Sequence, residues 1–166
     1  SASDQTWMLP ACGALFVLPY VLFSSFAGQV ADRLRKRRVI VLMKLVEIAL
    51  MTLGTVAMYS AHIPIMLAVL FLMGTHSTFL SPAKEGIIPE LVADEDLSRA
   101  NGLLQLTIYT MIVFGPVAAG FLLSIFPTQP YIPVAMLAGV AVIGFGISQG
   151  ITRVPPSGYA QKFRWN

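Results

Sequence analysis

The chain has 166 residues, of which 56% are apolar and 11% charged, with a net charge of +3 at neutral pH. An ordinary soluble domain is about a quarter charged; here too few polar side chains are present to cover one water-soluble core, which makes the bilayer the solvent. The basic residues gather beside apolar stretches and are not interleaved with exposed aromatics, which speaks against a nucleic-acid surface, and a single cysteine, Cys12, cannot build a disulfide framework or a thiolate metal cluster.

The polar, acidic start over residues 1–6 has no basic leader region and no small-residue cleavage site. Five apolar stretches follow, approximately 8–31, 39–60, 64–84, 100–126 and 131–151, each long enough to cross the hydrocarbon as a helix of about 20 residues. None has the alternating pattern of a membrane barrel, and backbone amides in lipid must bond within their own segment. The predicted fold class is therefore all-α: a polytopic transmembrane bundle occupying residues 1–151, with residues 152–166, which carry Pro155, Pro156 and Gly158, as a cytoplasmic linker.

Ten of the eleven Lys and Arg residues fall in alternate connections: Arg33, Arg35, Lys36, Arg37 and Arg38 in the first, Lys84 and Arg99 around the third, and Arg153, Lys162 and Arg164 in the tail. By the positive-inside rule the chain enters from outside and ends in the cytoplasm. Trp7 fits an outer interfacial anchor and Trp165 an inner one. An odd number of spans with an outer N-terminus, and a first residue that is not methionine, lead us to expect a longer protein with a helix before Ser1.

The first basic connection reads Gly28-Gln29-Val30-Ala31-Asp32-Arg33-Leu34-Arg35-Lys36-Arg37-Arg38. A topogenic loop needs the basic residues but not the glycine and the aspartate four positions on. The string resembles the signature between the second and third helices of the major facilitator superfamily, where the glycine permits close helix approach and the aspartate meets basic groups and a helix N-terminus. The resemblance implies a conformational latch made of Gly28, Asp32, Arg33, Lys36 and Arg37; Arg35 departs from the usual glycine.

Farther on, Leu80-Ser81-Pro82-Ala83-Lys84 closes the third stretch and Ala100-Asn101-Gly102-Leu103 opens the fourth. Between them Asp94, Glu95, Asp96 and then Ser98 predict a capped helix start with an acidic first turn. With the latch, these strings look like the bacterial lysophospholipid transporter branch of the superfamily, and Lys44 falls where that branch has a lysine in its third helix. The resemblance implies helices 2–6 of a twelve-helix fold. The cargo it implies is lysophospholipid of the lysophosphatidylethanolamine type, moved to the cytoplasmic leaflet by alternating access. Related exporters of drugs, siderophores and macrolides share similar strings, so a proton-coupled exporter is the alternative. Some members of the branch are fused to acyltransferase domains; that chemistry would lie outside these residues, which hold no nucleophile–base pair at helical spacing.

Lys44, Glu47 and His76 are the ionisable groups well inside a span. Lys44 and Glu47, three residues apart, share a helix face. A mid-bilayer charge costs about 3 kcal/mol even on insertion scales, so such groups face a watery cavity, unless, like Lys44, they lie close enough to the end to snorkel. His76 with Thr75, Ser77 and Thr78 makes a polar patch that either holds cargo or a proton, or closes an interhelical hydrogen bond. With Lys84 at the span border, Lys44, Glu47 and His76 form the candidate substrate set, with no catalytic, cofactor or metal residue. Gly115-Pro116-Val117-Ala118-Ala119-Gly120 resembles the Gly-Pro motif of antiporters or is a tight packing face, with Pro116 as a hinge between Gly115 and Gly120; Gly146 and Gly150 share the packing reading. The partners expected are the bilayer, an amphipathic lipid cargo, the remaining helices of the same protein and an acyltransferase.

Overall fold

The computed structural model describes residues 8–151. The two tryptophan anchors, Trp7 and Trp165, and the linker over 152–166 lie outside the described residues. Five long helices account for nearly all of the rest: α1 (Met8–Arg33), α2 (Lys36–Tyr59), α3 (Ile63–Gly86), α5 (Leu97–Ile125) and α6 (Tyr131–Gln149), with a one-turn helix α4 (Ile88–Leu91) and a 3-10 turn (Asp94–Asp96) between α3 and α5. All five long helices have the length and apolarity to cross a membrane.

The helices overrun the apolar stretches at the basic end: α1 ends at 33 against an expected 31, α2 starts at 36 against 39, α3 ends at 86 against 84 and α5 starts at 97 against 100. Charge ends insertion into hydrocarbon, but it does not end the hydrogen-bonded helix, which continues into the headgroup layer. The same effect corrects the expected cap. The acidic triplet forms the 3-10 turn and α5 begins directly behind it, so Ser98 lies inside the helix, Asp96 stands at the N-cap, and no side chain caps it.

Four helices form a row in the order α1, α3, α2, α6, each packed on the next. Small residues set the spacing, as expected where lipid and side chain are equally apolar and association rests on close approach. A Cβ at Gly74 of α3 would run into the Phe16 carbonyl oxygen of α1 and lie 3.2 Å from Pro19. Pro19 itself is fully buried inside α1, where its missing N–H leaves a carbonyl of the preceding turn free. Toward the basic end Ala31 of α1, Val39 and Ile40 of α2, and Ala83 and Ile87 at the end of α3 form the best-buried apolar cluster. Farther along α2, Gly54 lies between Val69 of α3 and Val134 of α6. The fifth long helix stands apart: α5 buries none of its residues and touches its neighbours only marginally.

Candidate functional site

The basic end is built from two neighbouring side chains that reach in different directions. Lys36, at the first position of α2, donates from Nζ to the Gly86 carbonyl at the end of α3 (2.9 Å) and to Glu90 Oε1 of α4 (2.8 Å). Arg37 donates from Nε to the Ile151 carbonyl (2.7 Å) and from Nη2 to the Gln149 carbonyl (2.9 Å) at the end of α6. The last carbonyls of a helix have no partner within it and carry the negative end of its dipole. Each cation therefore neutralises a helix C-terminus, and α2 is tied at its start to both of its neighbours. Gly86 makes room for this: a Cβ there would sit 3.1 Å from Lys36 Cε. The side chain of Ile151 packs on the Ala31–Ile87 cluster, so the Arg37 clasp also closes the core beneath it.

The other expected latch residues are not part of that clasp. Asp32 and Arg33 are exposed and make no ion pair or hydrogen bond among the described residues. Gly28 is half-buried, yet a Cβ there would meet nothing within 4 Å, so no close helix approach occurs at that position among the described residues.

Two turns deeper, Lys44 Nζ donates to Glu47 Oε2 at 2.7 Å, with about a quarter of the Lys44 side chain exposed (27%). The amine lies against α6, 3.5 Å from where a Cβ on Gly144 would stand. The pair thus sits on the α2–α6 seam, mutually neutralised, as an intramembrane charge requires. His76 takes the other flank of α2. It is 6% exposed, and its Nε2 faces the Met43 carbonyl at 2.9 Å; a carbonyl can only accept, so Nε2 carries the proton. Nδ1 is buried with no partner among the described residues. Of the surrounding patch, Thr75 and Thr78 turn back to donate to the Phe71 and Gly74 carbonyls of their own helix.

Lys44, Glu47 and His76 therefore share one level of the bundle on two sides of α2. Lys84 does not join them: it is half-buried near the end of α3, eight residues or about 12 Å along the helix from His76. Gly115, Pro116 and Gly120 lie on α5, where a Cβ on either glycine meets nothing within 4 Å. The partners of Lys36 were not legible. Glu90 follows Pro89 in a connection read for its basic residues and for the acidic cap at Asp94 to Ser98, and a helix-end carbonyl leaves no mark in sequence.

The Major Facilitator Superfamily model matches residues 1–162. The chain belongs to that superfamily. It is 32% identical over 159 residues to a lysophospholipid transporter LplT of Klebsiella pneumoniae, covering 96% of this chain and 38% of the relative. The corresponding protein of Photorhabdus laumondii is 33% identical over 137 residues, which cover 82% of this chain and 33% of the relative, and that of Escherichia fergusonii is 35% identical over 116 residues, 70% and 28%. This major facilitator chain thus spans about a third of the length of the curated relatives it matches. No solved structure matches it.

Proposed function

We propose that this chain is the latch-bearing part of a transporter that moves lysophospholipids, of the lysophosphatidylethanolamine type, to the cytoplasmic leaflet of a bacterial inner membrane by alternating access. The observation that carries the reading is the likeness to lysophospholipid transporters along 96% of the chain. The ten-to-none distribution of loop Lys and Arg supports an outer start and a cytoplasmic end. The remaining helices of the protein then supply the other half of the cavity and cover the unburied face of α5. An acyltransferase, fused or separate, would consume the delivered lipid.

In this reading the phosphate of the cargo must leave water, and a cation in a low-dielectric cavity offsets part of that cost. Lys44 and Lys84 are the candidates, with Glu47 holding Lys44 while the cavity is empty. Glu47 is also the acid a proton-driven exporter would use, and its engagement by Lys44 favours the lipid reading over that alternative. Uptake of radiolabelled lysophosphatidylethanolamine by spheroplasts tests it in the intact protein. Lys44→Ala and Lys84→Ala are expected to reduce uptake at normal expression, with Arg at either position restoring part of it, because charge returns without shape. Wild-type uptake by both alanine variants would remove the lysines from the cargo path. Asp32→Asn tests the latch separately: turnover is expected to fall more than binding, since the aspartate shifts the inward–outward balance without touching cargo.

A further inference from the structure

At the basic end, the last turn of α1 and the first turns of α2 diverge over α3 and leave an open cavity of about 310 Å³. Its apolar lining includes Phe79 of α3 together with Leu34, Val39 and Leu42. The polar residues among those lining it are Arg33, Arg35 and Arg38. These are the basic residues that the clasp does not use, since Lys36 and Arg37 are turned to α3, α4 and α6. All three are exposed and make no ion pair or hydrogen bond among the described residues. The tail over 152–166 contains no Asp or Glu that could neutralise them.

An apolar groove lined in part by three exposed arginines that are unpaired among the described residues matches an amphipath with an anionic head. The volume is at the lower end of the range for ligand pockets, enough to take part of one hydrocarbon chain. The positive-inside rule places this end in the cytoplasmic leaflet, where such amphipaths are the anionic phospholipids, and basic pockets between helices on that side hold their headgroups. We propose that the groove between α1 and α2 binds a two-chain anionic phospholipid of the cytoplasmic leaflet as a resident lipid, its phosphate on Arg33, Arg35 and Arg38 and one acyl chain against Leu34, Leu42 and Phe79. The site is distinct from the Lys44–Glu47 pair and holds whether or not lysophospholipid is the cargo.

The test uses the intact protein in nanodiscs containing phosphatidylglycerol with a photoactivatable diazirine in one acyl chain, followed by peptide mapping of the adduct. Labelling is expected on the peptides bearing residues 34–42 and Phe79, and a phosphatidylcholine probe of the same chain length should label them about tenfold less. Replacing all three arginines (Arg33→Gln, Arg35→Gln, Arg38→Gln) should abolish that preference, and Arg35→Gln alone should reduce it severalfold. Arg99→Gln, remote from the groove, should leave it unchanged. Leu42→Phe, which fills the groove and keeps every charge, should reduce labelling by both probes. Equal labelling by the two probes would overturn the proposal, as would no labelling of these peptides in the folded protein, which would mean that the rest of the chain covers the groove. Labelling confined to a lysophospholipid probe would also overturn it, by making the groove part of the cargo path.

Discussion

The helices α3 and α5 are alike in sequence and opposite in circumstance. Both are long, apolar, carry glycine and contain an internal proline, Pro82 in one and Pro116 in the other. Yet α3 is held on both flanks, by α1 and α2, whereas α5 buries nothing. The difference shows what a small-residue stretch encodes. Gly115, Ala118, Ala119 and Gly120 give α5 a surface that another helix can approach closely, but approach is a property of two surfaces. Gly74 has its partner, the Phe16–Pro19 turn of α1; the α5 glycines have none among the described residues.

The largest effect is expected where that contrast is sharpest. Gly74→Ala pushes a methyl into the Phe16 carbonyl oxygen, and because the obstacle is backbone rather than a flexible side chain, α1 and α3 must separate. Overpacking of this kind costs about 1–3 kcal/mol. The thermal midpoint of this chain in detergent should fall accordingly. Gly120→Ala, with open space around the new methyl, should leave the midpoint unchanged or raise it, since alanine is the better helix former. If the two substitutions behave alike in this chain, the packed row and the isolated α5 are not different environments. Repeating Gly120→Ala in the longer protein sharpens the contrast further: a cost appearing only there would locate the partner of α5 outside these residues.

A second, smaller effect separates residues within the basic connection. Lys36→Met removes a charge-assisted bond to Glu90 and another to the Gly86 carbonyl, each mostly shielded from solvent. Such bonds are worth about 1.5–3 kcal/mol when well buried, and the partial exposure here, with 19% of the lysine side chain open, places the expected loss near 1 kcal/mol. Arg37→Lys keeps the charge but loses the two-pronged donor that spans the Gln149 and Ile151 carbonyls. Faster amide exchange in the last turn of α6, with the rest of the helix unchanged, is the expected signature. Equal exchange in wild type and Arg37→Lys would mean that the clasp is not formed in solution.

The five spans were legible because hydrocarbon thickness imposes a length on any apolar helix, so existence and approximate bounds follow from composition alone. The order of the row was not, because helices that are apolar on all sides carry little directional signal; the small residues that decide the order do so through shape. The same limit applied at the sites. Spacing alone put Lys44 and Glu47 on one face, and they form an ion pair there. His76 was legible as a polar group in a span, but its partner is a backbone carbonyl of another helix, which no residue type announces. Asp94 to Ser98 misled for a local reason: the cap signature fits the pattern of residues, but the 3-10 turn brings the helix start forward by a turn and takes Ser98 inside.

The smallest effect tests the one strained turn in the row, at the end of α2 opposite to the clasp. There the chain reverses into α3 through Ser60, Ala61 and His62. The His62 amide donates to the Ala57 carbonyl (3.0 Å) and the Ala61 amide to the Met58 carbonyl (3.3 Å), the paired bonds of a Schellman ending. That ending requires a left-handed residue just past the helix, and Ala61 holds φ at 51°. Glycine is the usual occupant, because a Cβ in this conformation crowds its own carbonyl at a cost of about 1 kcal/mol. Ala61→Gly removes that crowding and also loosens the unfolded chain, which takes back part of the gain. The net is a stabilisation of about 0.5 kcal/mol, readable as a small rise in the thermal midpoint. Ala61→Val should lower it, because a β-branched side chain fits this conformation worse still. A midpoint that falls for Ala61→Gly would mean that Ala61 is not left-handed in the folded protein, and that α2 and α3 are joined by a different turn.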